Sequence, residues 1–223
     1  MNRSTLSRLA FVGATSATVF GAVIGSERLQ RIAKPLMVPA LAARGVRPMS
    51  TLGVALTAAT VGDVLLIDPD DDARILRGAA AFAVMQGCYC WLLADRGARP
   101  TAANAVPRLA GWATAAALLT RKSPAVAPGL AGYGLTLAAM STLAADRAVA
   151  PGSDTVAGVV VPGPDPRSRL ALGGILFTAS DALIVFRRLF LDRESHRRVA
   201  EGAILATYAL AQLFLVEGLA REK

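Results

Sequence analysis

Two aspartates stand inside long apolar segments: Asp63 in the stretch Gly62-Asp63-Val64-Leu65-Leu66, and Asp181 in Ser180-Asp181-Ala182-Leu183-Ile184. A carboxyl group in a bilayer interior costs roughly 2.5 to 3.5 kcal/mol on insertion scales, so it marks either a functional site or a polar link between helices. Helical spacing places Thr57 and Thr60 on the stripe of Asp63, and Gly174 and Thr178 on that of Asp181, which predicts that both stripes face the interior of a helical bundle. His196 is the one histidine, and it sits in a charged segment. That excludes His-based metal clusters and a Ser-His-Asp arrangement within the apolar segments, so proton chemistry there falls to carboxylates.

Further polar residues fall on helix faces that would join the same interior. Tyr208 and Gln212 are spaced i, i+4, with Glu201 and Leu205 on their face; Tyr133, Thr136 and Met140 form a second stripe, and Gln86 with Tyr89 a third. Each of these suits a satisfied packing hydrogen bond as well as substrate contact. Lys34, directly before Pro35, would set a cation at the mouth of a cavity or snorkel to lipid headgroups. The acidic run Asp68-Pro69-Asp70-Asp71-Asp72 matches no calcium-loop spacing and reads as N-capping of the helix that follows, so no metal is expected. Cys88 and Cys90 lie two apart on a helix and point to different faces, which argues against a disulfide between them.

The elements that must position these residues follow from the placement of charge. Hydrophobic residues make up 54% of the chain and charged residues 18%, with a mean hydropathy of +0.48. The charges cluster between apolar stretches and seldom within them, which is the pattern of a polytopic membrane protein and not of a water-soluble core. Helices are expected over 6–24, 34–43, 49–66, 73–93, 103–120, 125–145, 169–190 and 199–219. Most approach the ~20 residues that cross the hydrocarbon. The second is short and carries Pro35 and Pro39, so it is either re-entrant or a longer helix beginning near Arg28, and seven crossings is the alternative count. Only 146–168 is a long connection, where four prolines oppose a helix. The fold class is therefore all-α: one transmembrane helical domain of about eight helices.

Arg3 and Arg8 before an apolar run resemble a signal peptide, but the many later apolar segments make a retained first helix the simpler reading. The formal charge of +8 is spread in pairs over every loop, without an aromatic-lined basic face, so anionic headgroups and not nucleic acid are the expected partner. With eight crossings the 24 Lys and Arg residues divide evenly between the two sides, and the positive-inside bias chooses no orientation.

The surroundings of the two aspartates resemble each other, and the next helices continue the match: Arg77-Gly78-Ala79 beside Glu201-Gly202-Ala203, with Cys88 and Gln212 at equal distances beyond the glycines. Two parallel four-helix repeats would produce this. The order of Lys34-Pro35, Gly62-Asp63 with Leu66, Gly78 with Phe82 and Gly87, Tyr133 with Met140, Gly174-Ile175-Leu176-Phe177 leading to Ser180-Asp181, and Thr207-Tyr208 with Ala211-Gln212 resembles the YhhN-type lysoplasmalogenase family of integral membrane hydrolases. The chain departs from that pattern at Gly87-Cys88 followed by Trp91, where the family commonly has Gly-His and then Tyr.

The resemblance implies an eight-helix bundle that cleaves the vinyl ether bond of lysoplasmalogens into a fatty aldehyde and a glycerophospho-base, with no cofactor. Vinyl ether hydrolysis begins with protonation of the alkenyl carbon and passes through an oxocarbenium ion that water captures. A carboxylic acid in a low-dielectric setting can deliver that proton, and an ionised partner can stabilise the cation. Asp63 and Asp181 are the expected catalytic pair. Lys34, Tyr133, Ser180, Tyr208 and Gln212 are the expected substrate-binding residues, with Lys34 towards the phosphate. A lipid or small-solute transporter would also use intramembrane aspartates, and a scaffold without chemistry would keep them apart, each satisfied by neighbours.

Overall fold

The computed structural model describes residues 3–68, 70–156 and 159–220; Pro69 of the acidic run and two residues of the long connection lie outside this set. Eight helices follow in order: α1 Arg3–Ile24, α2 Glu27–Ala42, α3 Thr51–Leu65, α4 Asp72–Asp95, α5 Ala102–Lys122, α6 Ala127–Ala144, α7 Arg169–Phe190 and α8 Glu194–Leu219. Their starts follow local chemistry. Ser26 and Ser50 accept hydrogen bonds from Leu29 N and Gly53 N, and Asp71 accepts from both Ala73 N and Arg74 N at the start of α4. Gly25, at φ +73°, reverses the chain between α1 and α2, where a side chain would also collide with Arg198.

α2 starts at Glu27 and passes through both prolines, so the longer of the two sequence readings is the correct one. α2 and α3 have only 16 and 15 residues. Four helices, α1, α4, α7 and α8, combine the length and apolarity needed to cross a membrane. Large apolar side chains such as Leu9, Phe20, Leu36, Trp91, Val106 and Val199 remain exposed, as a lipid-facing surface requires and a water-facing one does not. The chain is a polytopic transmembrane bundle.

The helices run up and down, and the ion pairs at each end show it. At one end Arg187 and Arg197 meet Asp70, while Arg188 meets Asp72 and Ser123. At the other, Arg44 pairs with Glu217, Arg96 donates to the carbonyls of Gly218 and Leu219, and Arg99 N donates to Asp146. α1 is tied into the bundle by Ser7, which donates to the Ala40 carbonyl, and by buried Phe11. The 146–168 connection is not simply a loop. It holds a short antiparallel hairpin, β1 Asp154–Val156 with β2 Val159–Val161, whose Thr155 donates to Asn104 of α5. Three-residue strands give too brief an alternation to be read from sequence.

The suggested internal repeat pairs α3–α4 with α7–α8, and both are packed hairpins. The surroundings of the aspartates are not equivalent, however: Asp63 meets a tyrosine of α8, and Asp181 meets one of α6.

Candidate active site

A cavity of about 380 Å³ lies between α5, α6 and α7, with α3, α4 and α8 closing its inner side. Ligand sites are commonly ~300–1,000 Å³. Its wall is mainly aliphatic and aromatic, with Ile75, Phe82, Trp112, Leu137, Ile175 and Phe177 among its residues. On α5 it extends from Pro107 to Leu119, about 18 Å along the helix at 1.5 Å per residue. It is long in the direction of the helix axes.

Both aspartates are in this wall. Asp63, 2% exposed, sits near the end of α3, where Gly62 lets α4 approach so closely that an added Cβ would lie 2.7 Å from the Phe82 ring. Tyr208 donates to Asp63 Oδ2 at 3.0 Å. The direction of that bond is set from behind. Gln212 Nε2 donates to the Tyr208 oxygen at 3.1 Å and also faces the sulfur of Met85, which can only accept, and Gln212 Oε1 takes the Tyr89 hydroxyl at 2.8 Å. The Tyr208 proton is thus aimed at the carboxylate. Its ring is held edge-on by Phe82 and Phe177, at centroid distances of 5.8 and 5.6 Å.

Lys34 is the cation of this cluster. It is 5% exposed, donates to the Leu66 carbonyl at 2.7 Å and acts on Asp63 through its charge. Of the two readings of Lys34, the cavity is the one the structure favours over snorkelling, because α2 continues about two further turns beyond Lys34 towards its N-terminus and the amine turns inward to the end of α3.

Asp181 has a different setting. The Tyr133 phenol lies against it, with Gln86 beside that phenol, but Asp181 Oδ2 is buried without a hydrogen-bond partner among the described residues. Ser180, adjacent in the chain, turns its hydroxyl to the Ile204 carbonyl at 3.0 Å and so fixes α7 against α8.

Of the residues expected to bind substrate, Lys34, Tyr133, Ser180 and Tyr208 line the cavity and Gln212 does not. Gln212 lies behind Tyr208 and orients it. Thr57 and Thr60 also depart from expectation. Thr57 is exposed, and both hydroxyls bond back to their own helix, at Gly53 and Leu56, which satisfies them without an interior partner. Thr178 makes the same kind of bond to Gly174 but does line the cavity. Cys88 and Cys90 are free thiols, and neither is in the cavity wall. In the acidic run, Asp71 caps α4 while Asp70 and Asp72 pair with arginines.

Arg108, Arg187 and Arg188 also line the wall, and the first two are buried. Arg187 is 6% exposed and pairs with Asp70 at 3.4 Å and with Glu201 at 3.3 Å. Arg108, also 6% exposed, donates to Ser141 Oγ at 2.9 Å and to the Asn104 carbonyl at 2.7 Å. The cost of a charge within an apolar segment, which singles out the aspartates, would have found Arg108 as well.

No protein of curated function and no solved structure matches the chain. The model of the YhhN family matches residues 29–219, which include every residue of the cavity wall, and the chain belongs to that family.

Proposed function

We propose that this protein is a membrane hydrolase that cleaves the vinyl ether bond of a lysophospholipid, releasing a fatty aldehyde and a glycerophospho-base. The observation that carries this reading is the presence of Asp63 and Asp181, 118 residues apart in sequence, in the wall of one apolar cavity, each against a tyrosine.

Their unlike surroundings divide the work. Asp63 accepts a phenolic hydrogen bond and has a lysine beside it, the setting an ionised carboxylate requires. Asp181 has an oxygen that no donor among the described residues fills, the setting of a carboxyl that keeps its own proton. Asp181 gives that proton to the alkenyl carbon remote from oxygen, and the double-bond electrons move to form an oxocarbenium ion. The Asp63 carboxylate stabilises this cation and takes a proton from the attacking water. The resulting hemiacetal breaks its bond to the glycerol oxygen, which takes up a proton as it leaves while the hemiacetal hydroxyl gives one up, and the aldehyde forms. Return of one proton from Asp63 to Asp181 completes the cycle. The alkenyl chain lies along the aliphatic wall.

A scaffold would leave each carboxylate satisfied by its neighbours, and Asp181 is not. A transporter would need a polar route to both faces, whereas away from the carboxylates and the terminal arginines this wall is apolar.

The test is aldehyde release from lysoplasmalogen by the purified protein, compared with ester and alkyl ether lysolipids. Asp63→Asn and Asp181→Asn should each abolish release while the proteins melt as folded bundles. Full turnover in either variant removes that residue from the mechanism, and release from the ester alone removes the vinyl ether assignment.

A further inference from the structure

Arg108 stands apart from the other cations of the cavity. Arg187 is matched by Asp70 and Glu201, and Arg188 by Asp72. Among the described residues no Asp or Glu lies within ion-pair distance of Arg108, and its third nitrogen, Nη2, is buried without any acceptor. An uncompensated guanidinium among apolar side chains is costly, and truncation or neutralisation of a ligand that completes it should be correspondingly visible.

The position of the group fits one class of ligand. Its partner Ser141 is three residues from the end of α6 at Ala144, about 5 Å along the axis, so the guanidinium lies near the end of the bundle, where a lipid headgroup would stand. Tyr133, which meets Asp181, lies about 12 Å deeper on the same helix. The stretch of cavity between them is lined by Leu137, Ala138 and Ile175, without charge.

We infer that Arg108 binds the anionic head of a single-chain lipid, a phosphodiester or a carboxylate, whose chain runs inward along α6 towards Asp181. This rests on the cavity being the lipid site proposed above, but not on hydrolysis. Nη2 donates to an anionic oxygen while Nε and Nη1 keep their protein partners, so the fork is already oriented when the ligand arrives.

Trp112 lines the cavity one turn from Arg108, and Trp91 is the one other tryptophan, so Trp91→Phe leaves a single emitter beside the proposed head site. In that background, in a non-ionic detergent, Trp112 fluorescence is titrated with three ligands that cannot be hydrolysed at a vinyl ether: an alkyl ether lysophospholipid, a long-chain carboxylate and a neutral monoalkylglycerol. Arg108→Gln should weaken one or both anionic ligands by roughly tenfold or more, with the neutral one within about twofold. Which anionic ligand responds distinguishes the phosphodiester from the carboxylate. Equal loss for all three, or no loss for any, overturns the inference. If Arg108→Gln does not fold, the unsubstituted Arg108 protein decides: an anionic ligand must bind more tightly than the neutral one by a similar factor, and equal binding overturns the inference. Loss of aldehyde release alone would refute the hydrolase and leave these binding results standing.

Discussion

Tyr208→Phe isolates one atom of the proposed mechanism. The ring remains, with its edge contacts to Phe82 and Phe177, and only the hydroxyl that donates to Asp63 at 3.0 Å is lost. Gln212 keeps Tyr89 and Met85 as partners, so the amide is not stranded. A hydrogen bond to a charged group is worth about 1.5–3 kcal/mol. If Asp63 must be an oriented carboxylate in the transition state, that energy appears in the barrier, and kcat/KM should fall by about 10- to 150-fold. The assay is aldehyde release coupled to an aldehyde-reducing enzyme, with the melting temperature measured on the same preparation. Turnover within about twofold of the wild-type value, in a protein that melts normally, would show that the phenol does not orient the reacting carboxylate, and the assignment of Asp63 as the ionised partner would fall with it.

Gly62→Ala should destabilise the bundle by about 1–3 kcal/mol, read as a lowered melting temperature, because the new methyl meets the Phe82 ring, which is itself packed on Phe177 and Tyr208. The same displacement should lower aldehyde release; an unchanged melt would mean that α3 and α4 are not in the close contact described. Partial burial acts to raise the pKa of Asp70, but the Arg197 hydrogen bond and the Arg187 charge outweigh it, and the carboxyl titrates below its ordinary 3.8. A folded-state pKa below the unfolded one gives stability that is present above about 3.8 and lost as pH falls through the lower folded value. Asp70→Asn should therefore lower the melting temperature at pH 7, and its difference from wild type should shrink below pH ~3.8; a constant difference across that range would exclude the ion pairs as its source.

The aspartates are legible in sequence because a lone carboxyl in an apolar segment has few alternatives to a buried polar role. Helix order is legible for a similar reason, since charge is expelled to the ends of each segment. What the sequence does not show is how faces are shared. Gln212 and Tyr208 share a stripe, yet only Tyr208 reaches the cavity, because one turn along α8 the stripe is covered by Tyr89 and Met85 of α4. Thr57 falls on the stripe of Asp63 but outside the bundle, since a threonine can satisfy its hydroxyl within its own helix and needs no interior partner. Lys34 reads from its position before Pro35 as either a cation at a cavity mouth or an interfacial one, and its inward turn depends on the Leu66 carbonyl at the end of another helix. Such pairings join residues far apart in the chain and leave no local periodicity.

The departure of this chain from its family pattern at Cys88 can be weighed on the same grounds. Cys88 is on α4, the helix that brings Ile75, Ala79 and Phe82 to the cavity, but it is not itself in the wall. A histidine at that position would act on the carboxylates only through intervening side chains. Tyr208 and Tyr133 lie directly against Asp63 and Asp181, Lys34 acts on Asp63 through its charge, and all three are present. The proposed proton delivery from Asp181 and charge stabilisation by Asp63 therefore need no histidine, and on that proposal differences in substrate should arise along the cavity faces of α5, α6 and α7.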